Sequence, residues 1–294
     1  MRINAYILAA DPAWIEASVL SYYDLVDKII VSYDETKTSW TGTPIAVDEC
    51  LERLRAIDRD NKMCYSPKHY ARLNHKPMEN ETYQRQCALD EASTDADWVL
   101  QFDTDEVLPD FLDLLKVLNC ADAQGIPAVE WPMRVLFHTL PDGRFLEVCA
   151  ADGSDHFEYP GPIAVRPGAK LKNARRVEGA FLRPVVAEDN QSLQVKHPVG
   201  EGETRTILEN TSSAILHQSW ARSPESIRSK IASWGHNEGL RSQIFYYLRW
   251  RPAPYLWRVM RDFHPFARGL WPALKPCEAV GLPVSQSSEK QTAL

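Results

Sequence analysis

The sequence predicts an α/β protein built on a doubly wound sheet flanked by helices, and three observations carry that expectation. Apolar strand-like runs alternate with helically spaced apolar residues through about residue 120. Three of those runs, "INAYILAAD", "KIIVSYD" and "WVLQFDTDE", close on carboxylates. After Gly125 the texture changes to short apolar runs separated by Gly/Pro turns. Alternating strands and helices imply a parallel sheet covered on both faces.

The elements follow in order. "INAYILAAD" (3–11) reads as a first strand, its apolar run being too short for a secretory signal. "PAWIEASVLSYYDLV" then places Ile15, Val19, Tyr22 and Val26 on one helical face, with Pro12 early, where a helix tolerates it. "KIIVSYD" (28–34) is the second strand. Strand, helix and strand within about thirty residues form a βαβ unit. A loop (35–44), an amphipathic helix "IAVDECLERLRAID", a short strand "KMCYSP" and a helix over 80–94 lead to a fourth strand at 98. "PDFLDLLKVLN" (109–119) is the helix after it. Beyond Gly125, "AVEWPMRVLFH", "GRFLEVCA", "GPIAVRP" and "AFLRPVV" read as strands. Helix returns over 223–240, with Ser223 as cap and Pro224 at the first helical position.

Composition narrows the function. The chain has 294 residues, 44% hydrophobic, and a net charge of −7. That suits one large domain with an appended part, and an acidic surface is a poor match for nucleic-acid phosphates. The six cysteines include no C-x-x-C pair, so no structural zinc or thioredoxin-type motif is signalled, and scattered thiols fit a reducing cytosol. No run approaches the ~20 apolar residues that span a bilayer. The expectation is a cytoplasmic protein, at most peripheral at the inner face of the membrane.

The chemistry is concentrated in "WVLQFDTDEVLP" (98–109). Side chains two apart on an extended strand end point the same way. Asp103 and Asp105 therefore project together just past the carboxyl end of a central strand, where open α/β sheets bind ligands. Paired carboxylates there offer hard oxygen ligands to Mg²⁺ or Mn²⁺. The other two D-x-D pairs, Asp58/Asp60 and Asp95/Asp97, lack a preceding apolar strand and read as solvated turns.

"ADWVLQFDTDEVLP" after an N-terminal βαβ region resembles the GT-A nucleotide-sugar glycosyltransferases, in particular the family-2-like group. The likeness covers residues 3–120 well and continues loosely to about 236, with a departure at "AADPAW" and "SYDETKTSW". It implies a GT-A (Rossmann-like) mixed sheet flanked by helices, with a C-terminal helical extension. It implies residues 1–240 as the catalytic domain (nucleotide half 1–120, acceptor half 121–240); by composition, residues 241–282 read as a basic-aromatic helical extension and the polar residues 283–294 as a disordered tail. It implies metal-dependent transfer of a sugar from a nucleotide-sugar donor, UDP-linked, to a hydroxyl of a glycan or lipid-linked acceptor.

By that resemblance Ala9 to Asp11 lie beside the nucleotide base, and Asp34 contacts base or ribose. Arg85 and Gln86 face the donor, Asp103 reaches ribose and metal, and Asp105 binds the metal. His217 completes the metal site, and an E-D pair after an arginine-ended strand supplies the general base. Arg166 ends that strand here, and Glu188 and Asp189 form the pair, with Asp155, Glu158 and Glu178 as competitors. Arg222 and Lys230 are available to a diphosphate. Asp11 and Asp34 also fit turn caps, Arg85 a surface helix residue, His217 a packed histidine, and His236 a helix C-terminus favoured by the dipole.

Residues 241–275 depart from the rest. They hold seven Arg/Lys against one acid, Asp262, and nine of the 29 aromatics. Trp, Tyr and Arg suit the surface of an anionic membrane, and they equally suit helices packed on the catalytic domain. Two other functions fit the same chain. A haloacid-dehalogenase-type phosphohydrolase also uses a strand followed by D-x-D, though at its first strand. A non-catalytic nucleotide- or carbohydrate-binding protein fits the same fold.

Overall fold

The computed structural model describes residues 1–233, 240–265 and 267–277. His236 and the tail 283–294 lie outside the described residues.

The first half follows the alternation in the sequence. Strand β1 (Ile3–Leu8) is buried along its whole length, as a strand covered on both faces must be. Helix α1 (Ile15–Tyr22) turns Ile15, Val19 and Tyr22 inward, with Val26 just beyond it. β2 (Lys28–Asp34) pairs parallel with β1, Asn4 opposite Lys28. α2 (Val47–Ile57) leads to β3 (Met63–Lys68), parallel to β2. α3 (Pro77–Ala92) starts on a proline and crosses back to β4 (Trp98–Gln101), which pairs parallel with β1 on its other side. The short β5 (Glu106–Val107) follows, then α4 (Phe111–Gln124). The Asp110 carboxylate caps α4 by accepting from Leu112 N–H at 2.8 Å. Gly125 ends it at φ 67, a left-handed position that suits glycine.

The second half distributes its strands between two sheets. "AVEWPMRVLFH" is two strands rather than one. β6 (Ala128–Val129) joins the large sheet, and β7 (Met133–Thr139) leaves it after Pro132. β8 (Phe145–Cys149), β9 (Ala164–Val165), the hairpin β10 (Leu171–Lys172) and β11 (Arg176–Val177), and β12 (Phe181–Val186) follow. Then come α5 (Leu193–Lys196), β13 (Glu203–Leu208), β14 (Ile215–His217) and α6 (Pro224–Ser233). The large sheet runs β13-β12-β6-β9-β4-β1-β2-β3. It is mixed because β9 is antiparallel to both β4 and β6. A second sheet runs from a last strand β15 (Ala273–Cys277) through β8, β7 and β14 to β5. β13 escapes sequence patterning because "ETRTIL" is an edge strand with no buried alternation.

The C-terminal block is helical at first and ends in a strand that joins the second sheet. α7 (Leu240–Phe245), a π turn (Tyr246–Trp250) and α8 (Ala253–Leu256) precede β15, which pairs with β8. Phe245, Tyr246, Trp250, Phe263, Trp271 and Leu274 share one core with Val135, Phe137, Leu146, Val148 and Trp220. Among the described residues no helix is long and apolar enough to cross a membrane.

Candidate active-site cleft

A cleft of about 1300 Å³ opens where β1, β2 and β4 end. Ala9, Ala10 and Asp11 follow β1, Asp34 closes β2, and Asp103 to Asp105 follow β4, and all line it. This is the carboxyl edge at which open α/β sheets take ligands.

The D-x-D segment is a tight turn rather than a continued strand, with Glu106 N–H donating to the Asp103 carbonyl at 3.1 Å. Asp103 and Asp105 therefore face one cleft but meet different partners. Asp103 Oδ1 accepts from Arg85 at 2.6 Å, and Oδ2 lies 3.8 Å from Arg175. Burial would raise the Asp103 carboxyl, but these two guanidiniums outweigh it and hold the carboxyl well below the usual range. Asp105 Oδ2 accepts from Arg222 at 2.5 Å and from Lys230 at 3.4 Å. Arg222 also pairs with Asp11, so it ties the β1 end to the β4 end.

The turn is held from below. Glu106 is fully buried and takes a bidentate pair from Arg175, whose Nη1 donates at 2.8 Å. Arg175 sits in the β10–β11 hairpin, beside Asn173 and Ala174 in left-handed backbone at φ 48 and 66. Gln101 Nε2 donates to the Arg175 carbonyl at 3.0 Å, which locks the hairpin onto β4.

His217 reaches the cleft through strand register. β14 pairs antiparallel with β5, His217 opposite Glu106, so the ring stands beside the turn that precedes β5. His217 Nε2 lies 3.7 Å from Asp105 Oδ1. Two ligands each about 2.1 Å from a small divalent cation stand roughly 3–4 Å apart. Asp105 and His217 thus fit a cation that completes its shell with water and substrate oxygens. Asp103 pairs with Arg85 and Arg175 and Asp105 Oδ2 pairs with Arg222 and Lys230, so Oδ1 is the Asp105 oxygen that faces His217. Among the described residues no three His, Cys, Asp or Glu side chains form a ready-made metal cluster.

Helix phase decides which α3 residues face the cleft. Glu81, Gln84 and Arg85 share one face at i, i+3 and i+4 and line it. Among the described residues Arg85 Nη1 is buried there with no hydrogen-bond partner. Gln86, expected to face the donor, points away and ties α3 to Ala169 and Leu171. Gln84 stands in its place, accepting from the Trp40 indole at 2.7 Å.

Asp34 is a clasp as well as a lining residue. Its oxygens accept from Thr36 N–H and hydroxyl, from Tyr70 N–H at 2.6 Å and from Ala71 N–H at 2.8 Å. Those four donors use its lone pairs, leaving little capacity for a base or ribose. Burial would raise its carboxyl, and these hydrogen bonds lower it instead.

Glu188 and Asp189 do not line the cleft. They occupy the turn after β12, Glu188 at φ 66, where Asp189 accepts from Gln191 and Ser192 N–H and from Tyr159 hydroxyl. Asp155 pairs with Lys275, Glu178 pairs with Lys172 at the surface, and Arg166 pairs with Asp122 beneath Trp98. Glu158 is the competitor that lines the cleft. Its Oε1 accepts from the Trp271 indole. Burial raises the Glu158 carboxyl above the usual glutamate range, against the lowering pull of Trp271 and His217.

No protein-family model matches the chain, and no curated protein matches it. Among solved structures it is similar to S. aureus TarS 1–349, with 11% identity, a TM-score of 0.35 and coverage of 56% of this chain and 47% of that one. A second is 4-diphosphocytidyl-2C-methyl-D-erythritol synthase from Anaerococcus prevotii DSM 20548, with 15% identity, a TM-score of 0.33 and coverage of 56% and 71%. The chain thus spans about half the length of the TarS structure. Likenesses this distant identify neither a family nor an activity.

Proposed function

We propose that the protein is a glycosyltransferase that moves a sugar from a nucleotide-sugar donor, UDP-linked, to a hydroxyl of a glycan or lipid-linked acceptor. The observation that carries this reading is the cleft, where an Asp103/Asp105 turn surrounded by fixed cations lies within one cavity with a carboxyl of raised basicity. Its volume exceeds the usual range for one small ligand and suits a donor with its acceptor.

Transfer breaks the bond from sugar C1 to the diphosphate, and negative charge builds on the leaving group. Arg222 and Lys230 are placed to take that charge, with Arg85 offering its unpartnered nitrogen nearby. These groups are preorganised by Asp11, Asp103 and Asp105, so little reorganisation accompanies the reaction. The acceptor hydroxyl attacks C1 and its proton passes to the Glu158 carboxylate. A base whose proton affinity is raised above that of an ordinary glutamate suits that step. Mn²⁺ or Mg²⁺ held by Asp105 and His217 would supply Lewis-acid stabilisation of the diphosphate.

A thermal-shift screen of nucleoside diphosphates with and without Mn²⁺ tests the reading. UDP at a hundredfold excess over its Kd is expected to raise Tm by roughly 5–10 °C. An equal shift in EDTA would remove the metal from the proposal. Phosphate release from phosphomonoesters, with no shift from any nucleotide, would favour the phosphohydrolase.

A further inference from the structure

Among the described residues the C-terminal block sends one set of apolar side chains inward and exposes another. Inward, Phe245, Tyr246, Trp250 and Ala253 enter the second core. Outward, Ile244, Tyr247, Leu248, Tyr255, Leu256 and Val259 are exposed, with Leu248 at 64%, Tyr255 at 79% and Val259 at 76%. Contiguous apolar surface is unusual on soluble proteins and marks a docking site.

The charge around this face specifies what docks. Arg249, Arg251, Arg258 and Arg261 are exposed on the same helices and the turn after them. The one described acid of the block, Asp262, lies beside Arg268 at 3.8 Å and accepts from Gly269 N–H. The basic excess of the block is thus exposed on a chain whose net charge is −7. Trp250 and Trp271, candidates for insertion on composition alone, are buried in the core, and Trp257 is half-buried beneath Arg258 at 4.3 Å. The exposed apolar residues here are tyrosines, leucines, an isoleucine and a valine, interspersed along the chain with exposed arginines.

We propose that this face seats the protein on the surface of an anionic lipid bilayer, with Tyr247, Leu248, Tyr255 and Val259 entering the headgroup boundary and the arginines meeting lipid phosphate. Amphipathic surfaces of this kind bind through buried apolar area together with attraction to anionic lipid. Each arginine near such a surface contributes a factor of roughly five in partitioning. The proposal is independent of the chemistry in the cleft.

The test is co-sedimentation of the full chain with phosphatidylglycerol/phosphatidylcholine vesicles and with phosphatidylcholine alone, at low and high salt. Binding is expected only to the anionic vesicles, and high salt should weaken it. Arg249→Gln with Arg251→Gln should lower partitioning about 30-fold. Leu248→Ser with Tyr255→Ser and Val259→Ser should abolish binding at low salt. All five side chains are exposed, so both variants should keep the Tm of the parent. The proposal is overturned if the protein stays in the supernatant with anionic vesicles at low salt, or if neither variant changes its binding. A concentration-dependent dimer that the serine variant dissociates, with no vesicle binding, would instead make this face an interface between two copies.

Discussion

Lys230 stands where three effects meet. Burial and the neighbouring Arg222 pull its ammonium down to about 8, while Asp105 pulls it back up. A diphosphate needs the ammonium form. Affinity for UDP is therefore expected to fall as pH rises through about 8, by up to about tenfold per unit, and Lys230→Met should flatten the profile. Titration calorimetry at pH 7 and 9 reads both. Stability moves the other way. Between about 8 and the ordinary lysine value of 10.5, the unfolded chain holds one more proton, so this residue makes the fold more stable as pH rises. Glu158 carries a second prediction. Glu158→Gln should lower kcat on the order of 10²–10⁴-fold while UDP still binds. Trp271→Phe keeps the ring but removes the indole N–H that lowers the Glu158 carboxyl. It should shift the acidic limb of the kcat profile to higher pH. An unshifted limb would return Trp271 to simple packing. Both Asp103 and Asp105 were legible in the sequence because one short segment holds them after an apolar strand. Glu158 was only one of several acids, since nothing local marks which carboxyl a distant tryptophan covers.

Among the elements, two short pieces of sheet assemble the turn. β14 delivers His217 by its register against β5, and the β10–β11 hairpin delivers Arg175 under Glu106. Arg175→Met is expected to destabilise the fold by about 3–5 kcal/mol, because the fully buried Glu106 loses its bidentate partner. Adding Glu106→Gln should recover part of that loss. Urea unfolding of the single and double variants measures both, and additive losses would mean the pair is not coupled. Helices and strands of the first half were legible because their periods are unbroken; β2 and the apolar face of α1 fall where the spacing puts them. The hairpin was not, since two-residue strands have no period. Gln84 carries no mark in the sequence, since the resemblance points to Arg85 and Gln86, whereas helix phase turns Gln84 to the cleft. Strand and helix patterns cannot state which of two adjacent α3 positions faces a cleft until Glu81 and Arg85 fix the face.

Across the whole molecule, the C-terminal block completes the body of the protein. Trp250→Ala is expected to cost about 3–5 kcal/mol, as for a large ring removed from a packed core. A chain ending at residue 240 should lose cooperative unfolding by circular dichroism, where a detachable extension would leave the transition intact. Its aromatics were visible in the sequence, but their direction was not: composition is the same whether a tryptophan faces a core or a bilayer. Only the packing of Phe245, Tyr246 and Trp250 against β7 and β8 separates the inward set from the outward one. The path of the chain has a consequence for synthesis. One side of the cleft is made by the ends of β1, β2 and β4, all complete by residue 101, with β4 returning to pair Trp98 opposite Ile3. Trp271, which holds Glu158, emerges from the ribosome 170 residues later than Gln101, and β15 follows it. A nascent chain therefore holds these strand ends long before Arg222, Lys230 and Trp271 complete the cavity, so the finished cleft forms only as the last strand is made.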